Sequence, residues 1–205
     1  MISPETRHAI RAELQEQQIK DTPAPNERQP REAGERALER AAQEWAYDIH
    51  EPPKETHTHA ILTRYISGPE GLGWEWVKEY KNRRFAWCGA FAAYVWSESV
   101  SASIRRRAWA STYRLWEWAR GTPRQLTLSE ARAGDVVVVG KTKTWGDHIT
   151  ILASIESGPD GLILHTLEGN AHGELACGRQ GEGVIKRTRS AQEIAYIYRP
   201  LEVDR

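Results

Sequence analysis

One cysteine stands near the start of an apolar segment that reads RFAWCGAFAAYVWSES between Arg84 and Ser99. Apolar residues follow Cys88 at offsets of three, four, seven and eight, which predicts a helix with the thiol in its first turn. Unpaired backbone N–H groups and the helix dipole stabilise a thiolate there, and the thiolate is the nucleophilic form of cysteine. A free cysteine is also often a small buried apolar residue, so a catalytic reading requires a base elsewhere in the chain.

Candidate partners for the thiol lie on two predicted strands further along the chain. His148 opens the first of them in WGDHITILASI, and LHTLEGN at the end of the next carries Glu168 and Asn170. These two residues are two positions apart, so a regular strand points both the same way. A carboxylate or amide that accepts from the imidazole fixes its tautomer and supports the imidazolium. The order cysteine, histidine, polar acceptor is therefore typical of an activated nucleophile.

The surrounding pattern predicts helices first and strands afterwards. Residues 1–48 are expected to form an N-terminal helical extension, with a helix to about Lys20, a Pro-rich linker at 21–32 and a second helix at 33–48. Further helical pieces are predicted at 59–66, 74–80, the segment that opens near Cys88, and 108–120. Five strands are predicted at 135–140, 148–156, 162–169, 183–189 and 194–200. This order predicts an α+β domain over 49–205, built on an antiparallel sheet of about five strands.

The bulk composition excludes several classes of partner. Lys and Arg total 28, as do Asp and Glu, so no net charge draws the chain to nucleic acid or to an anionic membrane. No apolar stretch is long enough to span a bilayer, and the N-terminus lacks the pattern of a secretory signal. We therefore expect synthesis in the cytoplasm, where a disulfide between Cys88 and Cys177 is not expected.

We expect no metal and no cofactor. The chain has no Cys/His cluster with zinc-ligand spacing. The segment THTH places His57 and His59 two residues apart, and a polar loop or a first helical turn accounts for them better than a metal site.

The residues around the predicted site resemble the CHAP family, the cysteine, histidine-dependent amidohydrolases/peptidases, within the NlpC-like papain group. The similar segments are AWCGAFAAYVW, AGDVVVV, GDHITIL and TLEGN. The resemblance implies a papain-like fold in which the cysteine helix packs on the sheet that carries the histidine. It also implies that Cys88 is the nucleophile and that His148 is first general base and then general acid. Glu168 would then orient His148, and Asn170 would be a further orienting or polarising residue.

The same resemblance implies the substrate. It points to amide bonds of bacterial peptidoglycan, either in the stem or cross-bridge peptides or at the sugar–peptide amide. Of the nine tryptophans, Trp87 and Trp145 neighbour the predicted catalytic residues and are the candidates to stack on substrate. The alternative is that each tryptophan fills a helical core.

Three classes of function remain open from the sequence. The first is a cell-wall lytic enzyme, either a phage or prophage lysin or an antibacterial effector, which reaches the wall after non-classical delivery or lysis. An effector would have an immunity protein as partner, and residues 1–48 are a candidate contact for delivery machinery. The second is a papain-like protease or deamidase toxin that acts on a protein, and the third is a non-enzymatic scaffold. The cleaved bond, the host and the oligomeric state are not determined by the sequence.

Overall fold

The structure is a computed structural model that describes residues 25–51, 61–68, 70, 86–109, 111–140, 146–159 and 161–200. It divides into two compact units, Met1–Glu32 and Ala33–Arg205. The helices predicted before Lys20 and at 74–80, the pair His57 and His59, and Trp145 lie outside the described residues.

A six-stranded antiparallel sheet forms the centre of the second unit. Its strands are β1 (Gln125–Leu126), β2 (Val136–Val139), β3 (His148–Gly158), β4 (Gly161–Glu174), β5 (Gln180–Ser190) and β6 (Ile194–Tyr198). They lie in the order β1-β6-β2-β3-β4-β5, and every neighbouring pair is antiparallel. The α+β class and the antiparallel sheet are thus confirmed. The five predicted strands are present, and the two-residue strand β1 is an addition.

The centre of the sheet is buried on both faces. Strand β2 lies there, and all four of its valines are buried. Val136 and Val138 belong to the larger core cluster, which also contains the helices, whereas Val137 and Val139 belong to a smaller cluster on strands β2, β3, β4 and β6. A strand that is buried on both faces is expected to be continuously apolar, rather than to alternate between apolar and polar residues. The sequence DVVVVG is explained by this position.

In the described part of the chain, five helical segments of seven residues or more accompany the sheet, besides two 3₁₀ turns of three residues each. They are α1 (Pro25–Ala46), a π-helical segment (Ile61–Ser67), α2 (Cys88–Val95), α3 (Ala102–Ala108) and α4 (Thr112–Ala119). The helix predicted at 108–120 corresponds to α4, which begins only at Thr112, whereas α3 lies almost entirely before the predicted range. Among the described residues, no helix combines the length and apolar character needed to cross a membrane.

Helix α1 differs from the prediction at its beginning. It starts at Pro25, inside the segment 21–32 that was predicted to be a linker. Proline is well tolerated at the first position of a helix, because the N–H group it lacks would have no helical partner there. From Ala33 onward the helix belongs to the second unit, where Ala37 and Ala41 are buried in the core. The division into units falls between Glu32 and Ala33, and the domain boundary after residue 48 stays a prediction.

Helix α2 is buried along almost its whole length, and two glycines allow its close packing. A Cβ atom on Gly89 would lie 2.0 Å from the carbonyl oxygen of Trp109. On β4, a Cβ atom on Gly169 would lie 2.5 Å from the Cβ of Phe91 in α2. Neither distance is possible for a real side chain, so Gly89 lets the helix reach the backbone at Trp109, and Gly169 lets it reach the sheet. This contact fixes where the first turn of α2 sits relative to β3 and β4.

Candidate active site

Cys88 is the first residue of α2, with Trp87 as the N-cap, and it is only 6% exposed. Its sulfur is hydrogen-bonded to the His148 ring and to the backbone N–H groups of Ile149 and Gly89. Burial alone raises the pKa of the thiol. The hydrogen bonds and the charge of His148 outweigh burial and bring the pKa below its ordinary value. The site therefore favours a thiolate at the helix N-terminus.

His148 is the first residue of β3 and pairs with Val139 at the end of β2. Its Nε2 atom lies 3.1 Å from Oε2 of Glu168, so the other ring nitrogen is the one available to the Cys88 sulfur. Burial lowers the pKa of the ring, but the hydrogen bonds to Cys88 and Glu168 outweigh it and raise the pKa to about 9. The imidazole is consequently protonated at neutral pH, and it faces a thiolate on one side and a carboxylate on the other.

Glu168 has no exposed surface, and its carboxylate receives hydrogen bonds from three side chains. His148 is one of them, Thr166 Oγ1 lies 2.7 Å from Oε1, and Arg189 contacts both oxygens, at 2.8 and 2.7 Å. Burial raises the pKa of the carboxyl, but the hydrogen bonds from His148 and Arg189 lower it to about 2. The group is therefore ionised throughout the pH range of ordinary assays.

Arg189 is a site residue that was not predicted from the sequence. A buried glutamate on a strand requires a cationic partner. This requirement could have indicated from the sequence that an arginine or lysine lies next to Glu168. The choice of partner depends on the register of β4 and β5, in which Leu164 pairs with Arg189 and Glu168 pairs with Ile185. That register cannot be read from the order of residues.

Asn170 has hydrogen-bond partners other than the histidine ring. The pairing of β4 with β5 shifts register between Glu168 and Ala171, and Asn170 itself has a φ of 59°. The expected alternation is thereby interrupted, because a bulge inserts a residue into the pleat. The Asn170 oxygen accepts from the backbone N–H of Trp87 at 2.7 Å, and its amide donates to Glu182 at 2.6 Å. Its side chain secures the start of the cysteine helix rather than the histidine ring.

Trp87 is completely buried, which does not fit the predicted role of stacking on substrate. Its ring stacks on Tyr65 with centroids 5.5 Å apart, and its indole N–H donates to Glu51 at 2.6 Å. The Tyr65 hydroxyl in turn donates to buried Glu44 at 2.7 Å. The indole is held in the core immediately before the cysteine, so Trp87 acts as a fixed anchor for the first turn of α2.

The arrangement has the components of nucleophilic catalysis. A thiolate lies at a helix N-terminus, a protonated imidazole is hydrogen-bonded to it, and a buried carboxylate fixes the imidazole. Both cysteines are free, as expected, and Cys177 is exposed. Within the described ranges, no three His, Cys, Asp or Glu side chains are grouped as metal ligands.

Comparison with known proteins gives no match: no family model, no curated protein and no solved structure is similar to this chain at a significant level. The resemblance to the CHAP family therefore stays a prediction from the sequence.

Proposed function

We propose that the protein is a cysteine hydrolase that cleaves amide bonds of bacterial peptidoglycan, with a papain-like arrangement of its helix and sheet. The observation that carries the proposal is the hydrogen-bonded series Cys88–His148–Glu168 at the N-terminus of a buried helix. The three residues come from α2, β3 and β4 and are 60 and 20 positions apart in the chain. Their convergence supports a selected nucleophile rather than an incidental buried thiol.

The chemistry follows from the protonation states. The Cys88 thiolate attacks the carbonyl carbon of the amide, and the oxygen becomes an anion that the N–H groups of the first turn of α2 can stabilise. The His148 imidazolium then gives its proton to the leaving nitrogen, which departs as an amine and leaves a thioester on Cys88. Neutral His148 next takes a proton from water, whose oxygen attacks the thioester. Collapse releases the carboxylic acid and restores the thiolate and the imidazolium.

The choice of peptidoglycan rests on the segments that resemble CHAP proteins, above all AWCGAFAAYVW and TLEGN. The protein would be made in the cytoplasm and reach the wall by a delivery machine or by lysis, as an effector or a lysin. The N-terminal extension, residues 1–48, is the candidate contact for delivery machinery. An effector would also require an immunity protein in the producing cell.

Digestion of purified sacculi tests the proposal. The wild type should release soluble fragments whose masses identify the cleaved bond. Cys88→Ala and His148→Ala should release none, because they remove the nucleophile and the proton carrier. Cys177→Ala is the matched control, since it removes an exposed thiol, and it should retain full activity. Full activity in Cys88→Ala would refute the mechanism, and intact sacculi together with cleavage or deamidation of a protein substrate would refute peptidoglycan as the target.

A further inference from the structure

The Glu168 carboxylate is held more firmly by Arg189 than by the histidine it serves. Arg189 Nε lies 2.8 Å from Oε1 and Nη2 lies 2.7 Å from Oε2, whereas the contact with His148 Nε2 is 3.1 Å and involves one oxygen. A bidentate contact of this kind fixes the plane of a carboxylate as well as its position. The oxygen that faces His148 is therefore aimed by the guanidinium.

Arg189 is itself held in place from its other side. Its Nη1 atom donates to Glu193 at 3.0 Å, and Glu193 accepts from the backbone N–H of Ser190 at 2.8 Å. The Arg189 side chain is 14% exposed, so the guanidinium sits between two carboxylates at the end of β5. Glu193 is 45% exposed and Glu168 is fully buried, so the guanidinium links an outer carboxylate to an inner one.

The buried carboxylate needs this cation in order to be useful. Burial favours the neutral acid, and a neutral acid supports an imidazolium far less than a carboxylate does. Among the residues that the structure describes, the charged groups that contact Glu168 are His148 from β3 and Arg189 from β5. Cys88 faces the opposite side of the histidine ring. Of these groups, only arginine keeps its charge at every working pH.

We propose that Arg189 is a positioning residue that keeps Glu168 ionised and aimed at His148, and thereby sets the pH at which the Cys88–His148 ion pair forms. This inference rests on the cysteine chemistry proposed above but not on the choice of substrate. Loss of the guanidinium raises the pH at which Glu168 becomes protonated. Protonated Glu168 supports the imidazolium less, so the thiolate forms only at a higher pH.

The rate at which iodoacetamide alkylates Cys88, followed over pH, measures the pH at which the thiolate forms and requires no substrate. The rate is followed from about pH 4 to about pH 10 in the full chain carrying Cys177→Ala, so that Cys88 is the one thiol. In Arg189→Gln the acid limb of the profile should move up by about one pH unit or more, because two hydrogen bonds between charged groups are lost. Arg189→Lys should give a smaller shift in the same direction, since lysine keeps the charge but cannot make the bidentate contact.

Arg187→Gln is the matched control, because Arg187 lies two residues away on the same strand and contacts the carbonyl of His172. Its profile should coincide with that of the parent. A folded Arg189→Gln protein with an unshifted profile would overturn the proposal. If that variant does not fold, Arg189→Lys decides, and an unshifted profile there overturns the proposal as well. Failure to digest sacculi would leave this readout unaffected and would refute only the substrate.

Discussion

Replacement of Glu168 by glutamine should make the stability of the protein depend differently on pH. The pKa of Glu168 falls from an ordinary 4.5 to about 2, because the hydrogen bonds from His148 and Arg189 outweigh its burial. At about 1.4 kcal/mol for each pKa unit, ionised Glu168 contributes ~3 kcal/mol to the free energy of unfolding. Because the folded-state pKa is lowered, this contribution is present above about pH 4.5 and is lost as the pH falls toward about 2.

Urea unfolding followed by tryptophan fluorescence, repeated at several pH values from neutral to acidic, measures this contribution. The difference in unfolding free energy between wild type and Glu168→Gln should be largest near neutral pH and should shrink below about pH 4.5. Glutamine also places an amide N–H group near Arg189, which adds a constant cost, so the change with pH is the quantity tested. A difference that stays the same at every pH would refute the inference that Glu168 is ionised and paired with both His148 and Arg189.

The chain offers a matched control for this experiment. Glu156 also contacts a histidine, with its Oε1 atom 3.0 Å from Nε2 of His165, but its side chain is 59% exposed. Exposed pairs of this kind are worth at most ~1 kcal/mol. Glu156→Gln should therefore change the unfolding free energy little at any pH, and a loss equal to that of Glu168→Gln would show that burial is not the cause.

Two further substitutions test how the first turn of α2 is held. Asn170→Ala removes the acceptor for the Trp87 N–H and should lower the unfolding free energy by ~1 to 3 kcal/mol in urea titrations. Its sacculus-digesting activity should fall less than that of Cys88→Ala, and complete inactivation of a folded Asn170→Ala protein would contradict this role. Gly89→Ala would bring a Cβ within 2.0 Å of the Trp109 carbonyl oxygen. It should cost ~3 kcal/mol or prevent folding, and an unchanged thermal melting temperature would contradict the close packing.

The sequence was sufficient to predict which residue types carry the chemistry of the site. It was sufficient for only part of the geometry in which they are arranged. Cys88 could be placed on a helix start and His148 on a strand start, because both positions follow from the local apolar pattern. The alternation rule placed Asn170 beside Glu168, but the register of β4 and β5 shifts at that point, and the Asn170 side chain bonds Trp87 and Glu182 instead of His148. Nothing local to Trp87 distinguishes a core indole from one that faces a groove, and its burial depends on Tyr65 and Glu51.

The sequence by itself determined the elements and their order: a cysteine helix, then five strands with His148 and Glu168 on two of them, in an α+β arrangement. These features depend on neighbours within a few residues, and apolar periodicity records them. Only the tertiary structure decided which groups meet. The register of two strands brings Arg189 to Glu168, and Asn170, at the bulge after Glu168, accepts from the backbone N–H at the helix start. Such contacts join residues far apart in the chain, and their selection depends on how whole elements pack.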